Sequence, residues 1–184
     1  MEDSTLVVDA VRGDIEAFTE LFRRYYPAIH AFAYRLSLCR ADAEDIAQET
    51  FVQAARSLAT FRGEASFKNW LYSIATNRSH DRHRQRARRA RLGEQLSTLA
   101  ATEGGALDSE SAASGAHAAV REALAALSPD QRAAVALVYY EGLNHAEAAR
   151  VLGCAESTVS WRLFRAKHQL KKALRSRTAV PRHA

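Results

Sequence analysis

Residues 144–174 read NHAEAARVLGCAESTVSWRLFRAKHQLKKAL, and this stretch decides the fold. Asn144, with Glu147 three residues on, is the start signal of a capped helix. Ala146, Ala149, Val151 and Leu152 supply its apolar side. Gly153 ends it, because a residue without Cβ takes the left-handed conformation at no steric cost. A second helix then carries Val159, Leu163, Ala166, Leu170 and Leu174 at steps of four, three, four and four, one helical stripe. Helix, glycine turn and longer helix form the helix-turn-helix pattern.

The face opposite that stripe carries Ser157, Trp161, Phe164, Arg165 and His168, flanked by Glu156, Thr158, Ser160 and Arg162. Hydroxyls, arginines and an aromatic ring suit base edges and phosphates. Lys167, Lys171, Lys172 and Arg175 extend the basic character along the helix. A solvated helix of a bundle is the plainer alternative, but two large aromatics on a bare surface work against solubility.

Charge is distributed unevenly along the 184 residues, although the net value is only +5. Thr76 to Arg91 holds seven arginines and one acid, and Glu156 to Arg175 holds six basic residues and one acid. The first 75 residues are net acidic. Two basic blocks on an acidic body imply two nucleic-acid contacts and a different partner for the acidic part. The two cysteines, Cys39 and Cys154, stand far apart without a CxxC or Cys/His cluster. Neither a zinc site nor a disulfide framework is indicated, and reduced thiols are the simpler reading. The acidic N-terminus does not resemble a signal peptide, and no apolar run is long enough for a membrane span. A cytoplasmic location without membrane insertion is expected.

In the N-terminal part, Leu6–Val8 could start a short helix and Asp14 caps the next one. Phe18, Leu21, Phe22, Tyr25, Ile29, Phe32, Ala33 and Leu36 then recur at helical spacing, a core stripe in which Pro27 is expected to kink or break the helix. Ala41–Leu58 is a further amphipathic helix with Ala43, Ile46, Ala47, Phe51, Ala54 and Leu58 inward. Its other face shows Asp42, Asp45, Gln48, Glu49, Val52, Gln53 and Arg56. Chemistry alone leaves a solvated face and a protein interface equally weighted, although an apolar Val52 within a polar rim suits an interface.

The loop from Thr60 carries Phe61, Arg62 and Gly63, and Ser66 caps a helix beginning Phe67-Lys68-Asn69-Trp70. Phe67, Leu71, Ile74 and Ala75 are expected inward. Asn69, Ser73, Thr76, Asn77, His80, His83 and Arg84 are expected to face outward or flank. Exposed amides and hydroxyls among arginines, beside an aromatic loop, suit separated DNA strands, whose bases stack on rings while arginines hold the backbone. A basic helix that grips duplex phosphate without sequence preference is the alternative.

Gly93 to Ala118 is rich in Ala, Ser, Gly and Thr and contains no Lys or Arg. Such a segment cannot bury a core and is expected to be a flexible linker. Val120–Leu127 and Asp130–Tyr140 read as two more helices broken at Ser128-Pro129. The organisation is therefore all-α, with two small helical domains joined by a flexible linker. Residues 1–92 form the first domain, 93–118 the acidic linker, 119–176 the domain ending in the helix-turn-helix, and 177–184 a disordered tail.

Four stretches, DAEDIAQETFVQAARSL, FRGEASFKNWLYSIATNRSHDRHRQR, LSPDQRAAVALVYYEGLNHAEAARVLG and ESTVSWRLFRAKHQLKKAL, together resemble the extracytoplasmic-function (ECF) group of bacterial sigma factors. They stand in the family's order and cover most of the chain. The resemblance implies core RNA polymerase and promoter DNA as partners, with an anti-sigma factor as a further one. It implies polymerase docking by Asp42, Asp45, Gln48, Glu49, Val52, Gln53 and Arg56. It implies minus-ten recognition by Phe61, Arg62, Phe67, Lys68, Asn69, Trp70, Ser73, Asn77, His80 and Arg84. It implies minus-thirty-five recognition by Glu156, Ser157, Thr158, Ser160, Trp161, Arg162, Arg165, Lys167 and His168. The acidic linker would thread the polymerase cleft.

Four positions depart from the family pattern. Ala155 replaces the usual Ser or Thr cap of the reading helix, Trp161 stands where a small or polar residue is common, and Ser73 and Thr76 stand where arginines are frequent. No catalytic constellation, metal site or cofactor site is expected. The rival readings are a helix-turn-helix regulator with an N-terminal sensory domain, and a metal-dependent nuclease using Asp42, Glu44, Asp45 and Glu49. The nuclease is disfavoured because those acids lie on one helix without a converging second segment.

Overall fold

The computed structural model describes residues 2–96 and 115–178, among which there is no strand. The chain divides into two units, Met1–Leu107 and Asp108–Ala184. In the first, α1 (Asp3–Val11) packs on α2 (Ile15–Ser37), and α2 packs on α3 (Arg40–Ser57) and α4 (Phe67–Leu96), which also pack on each other. The Asp14 side chain caps α2 by accepting from the Glu16 and Ala17 amides at 2.8 and 3.1 Å.

Pro27 does not break α2, one of the two outcomes expected of it. Leu21 before it and Ile29, Phe32 and Ala33 after it are fully buried on one stripe. Packing on both sides holds the helix across the hydrogen bond that proline cannot make. Leu38 ends the helix in the left-handed region at φ 58°, and its own side chain is buried. That burial offsets the strain of a Cβ in this conformation. Phe32 and Tyr72, with ring centroids 4.6 Å apart, form the centre of the core.

Thr76 was expected at the surface but is buried, its hydroxyl donating to the Tyr72 carbonyl at 2.8 Å. Because α4 packs on both α2 and α3, its buried face is wider than one stripe. The same helix continues to Leu96, and α5 begins at Gly115, so the ends of the expected linker are helical. Residues 97–114 of that linker, and 179–184 of the expected tail, lie outside the described residues.

The second unit consists of α5 (Gly115–Ala125), α6 (Pro129–Val135), α7 (His145–Leu152) and α8 (Glu156–Thr178). Ser128 and Gln131 cap α6 reciprocally, with Pro129 at its first position. The Arg132 guanidinium donates to the Leu124, Ala125 and Leu127 carbonyls at 3.1–3.2 Å, closing the C-terminal end of α5. Its burial lowers its pKa. The helix read as Asp130–Tyr140 changes at Ala136 into a π-helical turn. This wider turn keeps Leu137 buried and leaves Tyr139 and Tyr140 exposed.

Candidate nucleic-acid and protein interfaces

The helix-turn-helix forms as its residues dictate. Asn144 and Glu147 make the reciprocal cap of α7, and Gly153 turns the chain at φ 60°. Ala155 offers no side-chain cap, but its carbonyl accepts from the Thr158 and Val159 amides at 3.0 and 3.3 Å. Val159, Leu163 and Ala166 are buried, whereas Leu170 is half-buried and Leu174 is exposed. The apolar stripe thus emerges from the core toward the end of α8.

The outer face of α8 presents Glu156, Ser157, Ser160, Trp161, Phe164, Arg165, Lys167 and His168, with Thr158 half-buried beside them. Trp161 is 57 % and Phe164 70 % exposed. The Arg165 guanidinium lies over the Trp161 ring at 5.3 Å. His145 Nδ1 is 2.9 Å from Ser160 Oγ, which donates to the Glu156 carbonyl at 3.2 Å. The His145–Ser160 hydrogen bond links α7 to α8. Arg162 is placed differently from its neighbours. Its guanidinium pairs with Asp130 at 3.2 Å and reaches Cys154 Sγ at 3.6 Å, so it holds α8 against α6 and the turn.

Of the residues expected to read the minus-ten element, Phe61, Arg62, Phe67, Lys68, Asn69, Trp70 and Ser73 lie at or just before the start of α4, whereas Asn77, His80 and Arg84 follow further along it. The Ser66 hydroxyl accepts from the Asn69 amide at 3.1 Å and caps the helix. Phe61, Phe67 and Trp70 form a mutual aromatic cluster with centroids 5.1–5.8 Å apart. Phe67 is buried, with Tyr25 edge-on at 5.6 Å. It therefore props up the half-buried Phe61 and Trp70 and is not itself accessible. Lys68 lies over Tyr72 at 5.4 Å, and the Ser73 hydroxyl donates to the Trp70 carbonyl at 2.7 Å. Arg62, Asn77 and Arg84 are exposed, and Arg84 pairs with Asp81 at 2.5 Å. His80 is half-buried.

Behind this cluster, Tyr25 hydrogen-bonds to the Asp3 carboxylate, which also pairs with Arg24. Burial and that hydrogen bond push the Tyr25 phenol up to about 12. The hydrogen bond from Tyr25 is the main cause lowering Asp3.

The acidic face of α3 is not a free row of carboxylates. Asp42 is buried, accepting from Arg82 Nε at 3.2 Å and pairing with Arg86 at 2.5 Å. Arg82 also pairs with Asp45 and, at 3.3 Å, with Glu49. One guanidinium of α4 thus bridges three carboxylates of α3. Asp42 faces inward, contrary to its expected place on the docking surface. Arg82 and Arg86 carry no sequence signal as its partners, because nothing near them in the chain points to Asp42.

Asp45, Gln48, Glu49, Val52, Gln53 and Arg56 do line one groove of about 300 Å³, joined by Arg78 of α4. Val52 is 51 % exposed within it. Among the described residues no group of three or more His, Cys, Asp or Glu is arranged to hold a metal. No described helix is long and apolar enough to cross a membrane.

Residues 21–89 match the family model Sigma-70 region 2, and residues 117–170 match Sigma-70, region 4. The chain is 33 % identical over 186 residues to the RNA polymerase sigma-H factor of Pseudomonas aeruginosa, covering 94 % of each chain. It is 35 % identical over 172 residues to the ECF RNA polymerase sigma factor SigM of Mycobacterium tuberculosis, covering 94 % of this chain and 84 % of that one. A solved structure of the sigma factor RpoE in complex with the anti-sigma factor NepR from Bartonella quintana matches with a TM-score of 0.71 at 30 % identity. That match covers 88 % of this chain and 98 % of the solved one. The chain belongs to the ECF sigma factors of the sigma-70 family.

Proposed function

We propose that this sigma factor docks on core RNA polymerase through the α3–α4 groove and recognises promoters at two separated elements. The second unit reads the minus-thirty-five duplex with the outer face of α8. The first reads the melted minus-ten strand with Phe61, Trp70 and the exposed residues of α4, and so assists promoter opening. The observation that carries this reading is that each unit combines aromatic rings with exposed basic residues, Phe61 and Trp70 with Arg62 and Arg84 in the first, and Trp161 and Phe164 with Arg165 and Lys167 in the second. Duplex readout needs a helix in the major groove, and single-strand capture needs rings that unstacked bases can meet. No covalent step is assigned to the chain. Strand opening draws on binding free energy, because a face built for unpaired bases favours the separated state.

The groove suits a protein partner because an exposed valine lies between opposite charges. The proposed site of action is the cytoplasm, with polymerase. An anti-sigma factor is a further proposed partner, supported by the Bartonella quintana sigma factor, which was solved in complex with one.

The test is run-off transcription with purified bacterial core polymerase and promoter fragments from the host. Initiation at defined sites only when the chain is added is the expected result. Tight binding to duplex DNA alone, without core binding or initiation, would instead establish a helix-turn-helix regulator. Arg165→Ala should reduce occupancy of the upstream element, and unchanged occupancy would remove Arg165 from the reading set. Replacing Asp45 and Glu49 together should weaken core binding while sparing DNA contact; undiminished core affinity would count against the groove.

A further inference from the structure

We infer that Trp161 is a specificity-determining residue that contacts a thymine methyl group in the upstream duplex and steadies Arg165 over a neighbouring guanine. The inference rests on the reading of α8 given above. More than half of the Trp161 surface is exposed. Arg165 lies over its ring, and Lys167, Lys171 and Lys172 follow further along the same helix, all exposed. That run of cations along α8 selects a polyanion as the occupant of this helix. A duplex keeps the flat faces of its bases stacked, so an aromatic side chain entering it cannot stack. The apolar group that base edges offer in the major groove is the thymine C5-methyl. An indole pressed into that groove therefore loses water against a thymine or gains little.

The geometry also orders the contacts. Trp161 is the sixth residue of α8, within the first turns that enter a groove in this motif. Arg165 follows one turn later, with its guanidinium lying over the indole. Stacking removes side-chain freedom before binding, which lowers the entropy lost when the guanidinium engages a base. Arginine pairs in a bidentate manner with guanine O6 and N7. The four residues from Trp161 to Arg165 rise about 6 Å along the axis and base pairs are about 3.4 Å apart, so the thymine and guanine fall within two base pairs of each other.

The probe comes from a randomised duplex library selected by the full chain assembled on core polymerase. The selected duplex is then remade with deoxyuridine at each thymine in turn, which removes the methyl alone. At one thymine within two base pairs of a guanine, binding should weaken about fourfold, the factor that burial of one methyl group corresponds to. The Trp161→Ser assembly should bind the thymine and uracil probes equally. Trp161→Leu should keep part of the thymine preference but discriminate less at the guanine, having no ring beneath Arg165. Equal binding of thymine and uracil probes by the unaltered protein at every position would overturn the inference. So would an undiminished uracil penalty in Trp161→Ser. Either result leaves the sigma reading standing. Failure to bind core polymerase or enrich any sequence would overturn that reading as well.

Discussion

Tyr25 shows how one side chain serves both stability and site geometry. Its ring braces Phe67, and its hydroxyl ties α2 to Asp3 at the start of α1. The phenol is raised from 10.0 to about 12, so it favours the protonated form in the folded state. Its contribution is fully present below about pH 10 and fades as pH rises toward about 12. Asp3 has the opposite sign. Its lowered carboxyl contributes above its ordinary value of 3.8 and stops contributing as pH falls through the folded value. Absorbance of phenolate during an alkaline titration should show a late-ionising tyrosine that is absent from Tyr25→Phe. A normal onset for every tyrosine would remove the tie.

Gly153 gives a second residue-scale test. A Cβ there would meet no atom within 4 Å, but φ is +60°. Gly153→Ala should therefore cost about 1 kcal/mol through backbone strain alone, read as a shift in the denaturation midpoint of the second unit.

At the scale of elements, Arg82 connects α3 to α4 more firmly than any local signal foretold. Breaking a buried pair leaves a stranded charge. Arg86 remains on Asp42, and Asp45 and Glu49 are half-exposed, so Arg82→Ala should destabilise the first unit by only about 1 kcal/mol. Trp70 fluorescence in a Trp161→Phe background isolates that unit during urea unfolding. A loss below about 0.5 kcal/mol, the range of ordinary surface changes, would refute the bridge. Arg82→Lys should not restore it, since an ammonium lacks the planar fork that spans several carboxylates.

The helices themselves were legible because the signals that define them act within a turn or two. Asp14, Ser66, Ser128 and Asn144 each cap a backbone amide two or three residues ahead. What escaped was non-local. Asp42 and Arg82 are 40 positions apart, and whether Pro27 breaks α2 depends on packing from other helices. Phe67 and Arg162 had the right chemistry for DNA, but tertiary contacts turned one into a prop and the other into a brace. The π-helical turn at Ala136 likewise has no pattern of its own in a run of apolar residues that suits a continuous helix.

For the molecule as a whole, affinity for promoter DNA should depend steeply on salt. Each phosphate contact releases counterions and contributes about 0.9 to the slope of log affinity against log salt. Removing Lys171 and Lys172 should lower that slope by up to about 1.8 without changing which sequence is preferred. A changed preference would mean that these lysines read bases.

Helix α4 has a consequence of a different kind, for how the chain can be cut. It spans 30 residues, about 45 Å, whereas its neighbour α3 spans 18. From His83 to Arg91 every residue is exposed, so little packing holds this stretch helical. Trypsin needs Lys or Arg, and Gly93 to Ala118 contains neither. The first cut that separates the two units should therefore fall between Arg84 and Arg91, not in the Ala/Ser/Gly-rich segment beyond. A partner that covers the end of α4 would slow that nick, so the time course of one digestion would report whether the protein is alone or assembled.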